Sequence, residues 1–477
     1  MKKVFLVFVS FFAITMAFGQ SNVSSIDQNS ESGAIQNKAT VNQTGQGNDS
    51  DIDQLIKEGS ADPDVGLNQT SVVQNGKDNT TEVYQEMKTH GGSPANMVNI
   101  NQKGKENFVD VKSVSDWGHD VDVNQDGRLN EAYVDVERNG NKATINQIND
   151  NINGTATQII KAADAVVKID QLNGKNNTAT QTIGVPEFIG DNDLYVKQLE
   201  GNGNIASQEV NGTGWDASGA SGNKGRIYQN QGAGNQAHQL FDVIGDPAND
   251  PYGNYAQTTQ TGGSGNYATS LQRHSNNEAY QTQENGSGNY AQIGQKLGWA
   301  GETTNSKATQ YQTGQDNIAT AGQFNGDNVG YQYQDGKRNK STLKQTGGGN
   351  SSDMRQWGND NYAASHAFNG STVDMDQNGN ENQATVLTKG DGNLAKVDQK
   401  GTGNTAGEEP YWEDEYGIFQ EGDLNKAYVI QDGQLNTAQI SQVGDSNWAH
   451  STSTGSGHDS EIIQAGDSNW AKVVQGN

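Results

Sequence analysis

The segment DVDVNQDGRLN at 120–130 reads like the start of a calcium loop. Asp122, Asn124 and Asp126 place an oxygen-bearing side chain at every second residue and Gly127 follows, as the first half of a cation-wrapping loop requires. The twelfth position, where a bidentate acid should close the coordination shell, is Tyr133. A spacing of two also describes one face of a strand, and Gln125, Gly127, Asn130 and Ala132 belong to a repeat that runs along the chain. The repeat is therefore the better account of this stretch.

Other chemistry-bearing patterns are weaker. The seven histidines are dispersed without metal-ligand spacing, and His458 falls where the repeat elsewhere has Asn, a position for a ladder hydrogen bond. Serine, histidine and acids are all present, but no G-x-S-x-G elbow assembles them, and no GxxxxGK[ST] accompanies the abundant glycine. Carboxylates in an acidic chain mean little unless a cleft gathers them. The expectation is a non-enzyme with no cofactor and no metal.

What must position these residues is the repeat. The hexapeptide GDSNWA at 444–449 returns at 466–471, and glutamines stand at 420, 431, 442, 464 and 475, with Ser453 filling the gap, so the step is 11 residues. Each step follows Q-x-G-x-x-N-x-A-x-Φ-x-Q, where Φ is apolar. Alternate side chains share a strand face, so Asn, Ala, Φ and Gln point one way. The expected inward ladder near the end of the chain is Asn425, Ala427 and Gln431; Asn436, Ala438 and Gln442; Asn447 and Ala449; and Asn469, Ala471 and Gln475. The seven residues from Asn to Gln make a strand, and x-G-x-x makes the turn. Gly422, Gly433, Gly444, Gly455 and Gly466 supply the positive φ that a tight arc needs.

Carried back along the chain, the template gives 37 strand matches, from Asn22–Gln28 to Asn469–Gln475. It fits loosely at 152–158 and 165–171, where the register is free to slip. After even-numbered matches the linker has four or five residues, as at 44–47, 75–78 and 103–106. After odd-numbered matches it is often long, as at 29–36, 55–67, 86–95, 184–191, 211–222, 242–253 and 296–305. Insertions that skip every second connection leave one edge of a two-stranded coil. Proline cannot donate to a ladder, and Pro63, Pro94, Pro186, Pro247 and Pro251 lie in those linkers, while Pro410 cuts short the strand that starts at Asn404. The expected fold is all-β: a parallel β-solenoid with two strands per 22-residue coil in two facing sheets, about 18 coils long. Residues 20–304 form its insertion-bearing part and 305–477 its regular part, continuous with the first.

Composition agrees only because of the repeat. With 31% hydrophobic residues, 60 glycines and a net charge of −26, a compositional rule alone would call the chain disordered. The acidity argues against nucleic acid and anionic membranes as partners. Residues 1–19 carry two lysines, an apolar run and small residues at Ala17 and Gly19, the pattern of a signal peptide rather than a membrane span. A secreted chain without cysteine takes no stability from disulfides.

The unit resembles the curlin repeat, S-x5-Q-x-G-x-x-N-x-A-x3-Q, of bacterial curli subunits. Ser371, Gln377, Gly379, Asn382 and Ala384 follow it until Thr388 replaces the closing Gln; Gln431, Gly433, Asn436, Ala438 and Gln442 follow it with Asn425 in the Ser slot. The resemblance implies an extracellular functional amyloid of a biofilm matrix, secreted through a dedicated outer-membrane channel. Its partners would be copies of itself and other curli-like subunits or matrix components. The chain departs from the family in its larger number of repeats and in its long one-sided insertions.

Outward between Asn and Ala stand Tyr255, Tyr267, Tyr290, Tyr362, Trp448 and Trp470. Tyr267 and Tyr290 should stack one layer apart, serving either ladder stability or a sticky face for surface contacts. Trp117, Trp215, Trp299 and Trp412 fall in the long linkers and suit either binding or local cover. The leading functional expectation is a secreted, curli-like fibre subunit that self-assembles end to end, with 420–477 as a principal assembly surface. The alternative is a monomeric secreted β-solenoid adhesin that binds through its looped edge.

Overall fold

The computed structural model describes residues 21–30, 37–57, 68–88, 95–115, 118–184, 191–213, 222–244, 253–273, 276–296, 305–407 and 417–476. Residues 1–19, expected from the sequence to be a signal peptide, the six prolines and Trp117, Trp215, Trp299 and Trp412 lie outside these residues. The described residues contain strands and no helix, and so no helix long and apolar enough to cross a membrane. They fall into two compact units, Met1–Gly222 and Asn223–Asn477.

Each unit is a parallel β-solenoid with two strands per coil. In the first, fifteen strands from Val23–Ser30 to Ile205–Thr213 alternate between two sheets, each strand pairing with the next but one in the chain. Val23–Ser30 lies against Asp49–Lys57 with Ile26 beside Ile52 and Gln28 beside Gln54, while Lys38–Gln46 lies against Asn68–Lys77. In the second unit, twenty-two segments from Lys224–Asn230 to Trp470–Gly476 do the same. Trp448–Ser456 pairs in register with Trp470–Gly476, which sets the second GDSNWA on the first.

Alternation drives this architecture. In Lys426–Gln434 the inward Ala427, Val429 and Gln431 are buried and the residues between them are exposed or half-buried. The small Ala row lets the two sheets approach, and the Φ row, such as Ile145, Ile169, Val397 and Ile440, is wholly removed from water. Within the first unit the long linkers 29–36, 55–67, 86–95 and 184–191 all leave the sheet containing Val23–Ser30. Within the second, 242–253 and 296–305 leave the sheet containing Gln236–Ile244. Strands of one parallel sheet run the same way, so within each unit the described strands that precede these linkers end on the same side.

Four details differ from the sequence expectation. The strand expected from Asn404 and the one expected to end at Gln420 are one layer: Thr405–Ala406 pairs with Gln383 and Ala384, and Ile418–Glu421 continues against Val386 to Lys389. The insertion at 408–416 thus interrupts a strand instead of joining two. Gly417, which follows it, donates its backbone N–H to the Thr385 hydroxyl oxygen at 2.9 Å.

The match at 152–158 is two residues out of register, because Ala156 sits beside Ala132, which puts Gly154 in the Asn slot and Ile160 in the Gln slot. Here and at Thr178–Gly184 and Ile205–Thr213, Gln and the apolar residue exchange slots. Gln158, Gln181 and Gln208 stack as an inner row and Ile160, Ile183 and Val210 replace the outer one. Both slots face inward, so the exchange keeps every side chain on its face.

The shortest coil is 21 residues, from Gln356 to Gln377, and the longest stacked spacing is 32, from Gln399 to Gln431. Finally, strands of one sheet run on through the turn glycine, as in Lys426–Gln434 with nine residues, whereas Thr437–Val443 has seven.

Candidate assembly surface: ladders and end coils

The arcs are built on close approach. Gly433 has φ 138°, and a Cβ there would lie 1.8 Å from the carbonyl oxygen of Gly455 one coil on. Gly422 and Gly444, at φ 109° and 111°, would meet the carbonyls of Gly444 and Gly466 at 2.4 and 2.5 Å. Glycine is needed for sterics between coils as well as for φ. Gly455 and Gly466 also take positive φ, at 109° and 88°. Sequence reasoning missed a second left-handed position, the residue just before the Asn slot: Leu424, Leu435, Ser446 and Ser468 have φ between 54° and 58°. The template leaves that position free, so residue type gave no signal for it.

The amide rows tie the coils together with a fixed polarity. Gln334 Nε2 donates to Gln356 Oε1 at 2.9 Å, and Gln356 Nε2 to Gln377 Oε1 at 2.8 Å. The second N–H of each amide goes to a carbonyl across the coil, as Gln356 Nε2 does to Lys340 O at 3.0 Å, which fixes the amide orientation. Every such row therefore donates forward along the chain. Asparagine acts oppositely: the Asn436 backbone N–H donates back to Asn404 Oδ1, while Asn436 Nδ2 reaches forward to the Gly455 carbonyl. The Gln row of one sheet breaks where Ala367 and Thr388 stand, and Gln345 Nε2 turns to Ser352 Oγ instead.

Asn425, Ala427, Gln431, Asn436, Ala438, Gln442, Asn447 and Ala449 are buried at 0–1% exposure. Asn469, Ala471 and Gln475 occupy equivalent slots in the last coil and are half-buried, because among the described residues Trp470–Gly476 is paired on one side only. On the outer face Tyr267 and Tyr290 stack with centroids 5.2 Å apart and planes 8° from parallel. Trp448 and Trp470 stack at 5.0 Å and 3°. Tyr311, Tyr333 and Trp357 form a further row that the sequence template, which singled out only the position after Asn, did not flag.

The calcium-like residues do not converge. Asp122 and Asn124 lie on the outer face of the strand Asp120–Arg128, Asp122 accepting from Asn99 Nδ2 and Asn124 donating to Asn146 Oδ1, both at 3.0 Å. Asp126 pairs with Lys103 at 2.7 Å. Among the described residues no group of three His, Cys, Asp or Glu is placed to hold a metal.

His458 takes an Asn slot: its backbone N–H donates to Asn436 Oδ1 and its Nε2 lies 2.9 Å from the Thr454 carbonyl, where Asn469 Nδ2 meets Ala465 in the next strand. His119 is a second histidine of this kind, missed although Val121, Val123 and Gln125 follow it on template. It is buried, with Nδ1 3.0 Å from Ser113 Oγ and Nε2 against the Arg138 carbonyl. Burial pushes its imidazole down to about 4, since a charge there would have no water.

Comparison with known families matches the curlin associated repeat at residues 120–148, 369–406, 417–444 and 436–466. No curated protein matches the chain. Each matched stretch covers stacked strands and their glycine arcs, so the family's unit coincides with the structural one. The chain carries the curlin associated repeat.

Proposed function

We propose that this curlin-repeat chain is a secreted, curli-like structural subunit that self-assembles end to end into extracellular amyloid fibres of a biofilm matrix. The observation that carries the reading is the state of the end coils. Ile26 is 37% exposed although it occupies an inner Φ slot, where its neighbour Ile52 is 0% exposed. Gln28, in the first described coil of its unit, and Gln475, in the last described coil of the other, lack a coil on one side among the described residues. A coil in that condition is completed by another coil of the same template, and one-sided strands template further strands. A repeat whose residues serve stacking leaves a structural role as the best account, with a secretion channel and other matrix subunits as further partners.

The test is to purify the chain, incubate it at micromolar concentration with an amyloid-sensitive dye, and image it by electron microscopy. The reading expects fibres whose diffraction has an axial repeat of about 4.8 Å. A chain that stays monomeric for days at high concentration would instead support the adhesin that binds through its looped edge.

A further inference from the structure

Two of the outer aromatic contacts set one phenol directly on another. Tyr311 lies in register beside Tyr333 and Tyr267 beside Tyr290, each pair one coil apart. Their ring centroids are 5.3 and 5.2 Å apart and their planes 2° and 8° from parallel. The in-register neighbours beyond are not phenols: Thr282 and Arg355 flank the first pair, and Gln236 and Ile318 the second. Of the 16 tyrosines in the chain, these four are therefore placed, among the described residues, as two isolated face-to-face pairs. A third close pair, Tyr255 and Tyr280, is tilted by 40° and joins two different columns, because Tyr255 is in register with Glu278. All four stacked rings are half-buried on an outer face, open to small solutes.

Stacking alone would suit any aromatic pair. The first pair also carries a proton acceptor: the Tyr311 hydroxyl donates to Glu284 Oε2 at 2.9 Å. Burial first, and then that carboxylate, push the Tyr311 phenol up to about 12, so it is un-ionised at neutral pH. It gives up an electron readily only if its proton leaves at the same time, and Glu284 is in position to take that proton.

We propose that Tyr311–Tyr333, with Glu284 as proton acceptor, and Tyr267–Tyr290 are sites of oxidative coupling, at which a peroxide acting through a one-electron oxidant joins neighbouring coils by a carbon–carbon bond between the rings. Each ring loses one electron and its phenolic proton to become a phenoxyl radical. The two radicals combine through carbons ortho to their oxygens, and the hydrogens on those carbons move to the oxygens to restore two phenols. Two hydrogens in all leave the pair, and one hydrogen peroxide takes them up as it is reduced to two waters.

Strands of a sheet lie about 4.8 Å apart, so rings that already face each other across one spacing couple by side-chain rotation without moving a strand. The two pairs sit on different sheets, which places one staple on each outer face. Each staple closes one coil within a single chain, from 311 to 333 or from 267 to 290, and forms with or without assembly. In a chain with no cysteine it supplies the loop closure that a disulfide would otherwise give.

The test treats the full-length chain, kept dilute, with hydrogen peroxide and a haem peroxidase, follows the blue fluorescence of the 2,2′-biphenol, and maps linked peptides by mass spectrometry after digestion. The expected result is two links, 311–333 and 267–290, each two hydrogens lighter than its separate peptides, on chain that still runs as monomer on a denaturing gel. Tyr333→Phe should lose the first link and keep the second, which reports that the fold is intact. Glu284→Gln should slow the first link and flatten the pH dependence of its rate while leaving the second unchanged. Absence of either link in the unmodified chain, coupling that spreads to Tyr255–Tyr280, coupling as fast in denaturant as in the folded chain, or a product that is chiefly covalent dimer would overturn the proposal, as would loss of both links in Y333F. An unchanged rate in E284Q would overturn the part given to Glu284.

Discussion

Replacing Gly433 by Ala separates the two demands that the arcs place on glycine, and Gly457 supplies the internal control. Both have positive φ, 138° and 69°, but a Cβ at Gly433 would sit 1.8 Å from the Gly455 carbonyl oxygen whereas one at Gly457 meets nothing within 4 Å. G457A should lose only the cost of an L-residue in the left-handed region, about 1–2 kcal/mol. G433A adds to a comparable backbone penalty the separation of two coils, which forced overpacking puts at about 1–3 kcal/mol, for a total of about 2–5 kcal/mol. Hydrogen exchange of the amides flanking each arc measures the local opening free energy directly. The expected result is a loss of protection in G433A at both stacked arcs, Gly401 to Gly433 and Gly433 to Gly455, and a smaller, single-arc loss in G457A. If the two variants lose the same protection, close stacking of glycine carbonyls does not hold the coils together and the steric argument is wrong.

Gln356→Leu should strand the Lys340 carbonyl, Gln377 Oε1 and a Gln334 N–H, and cost about 3–5 kcal/mol by local hydrogen exchange, against less than about 1.5 kcal/mol for Met354→Leu in the same strand; equal losses would refute an energetic role for the amide row. His119 is held near 4 in the fold against an ordinary 6.5, so its contribution is fully present above pH 6.5. That contribution is lost as pH falls toward 4, because the unfolded chain takes up the proton first. The loss amounts to about 3 kcal/mol relative to His119→Asn, and a pH-independent difference between the two in thermal melts would contradict it. His458→Asn should complete the Asn row at the last coil and speed elongation from added seeds; unchanged elongation would mean that this slot is not at the junction.

Much of the fold was legible because its code is local and periodic. Asn436, Ala438, Ile440 and Gln442 state a strand, its buried face and its layer within seven residues, and the 11-residue step states the coil. The errors arose where two slots share a face. Gln181 and Ile183 exchange places without turning any side chain outward, so a template keyed to the last Gln slipped at 152–158 by the one increment that preserves the inward pattern. Thr405–Ala406 and Ile418–Glu421 misled the count because a nine-residue insertion nearly equals one period. The left-handed residue before each Asn, Leu435 for example, was invisible because Leu gives no hint of positive φ. The amide rows were legible only as a template; their polarity emerged from amide directions that residue types do not specify.

The central claim is that copies elongate by adding a coil to the strand Trp470–Gly476. Proline at both Ala471 and Val473 removes two backbone donors that hold that strand against Trp448–Ser456, so the outermost strand is no longer presented in register for addition of a further coil. Elongation should be measured at matched concentration from sheared seeds of the unmodified chain and of A471P/V473P, with unmodified monomer supplied to each. The account predicts that the variant seeds lose growth at that end and elongate at a reduced rate, and that variant monomer caps unmodified seeds. Unchanged lag and unchanged elongation for the variant, alone and as seed, would contradict end-to-end growth through this coil and leave the monomeric adhesin as the better reading.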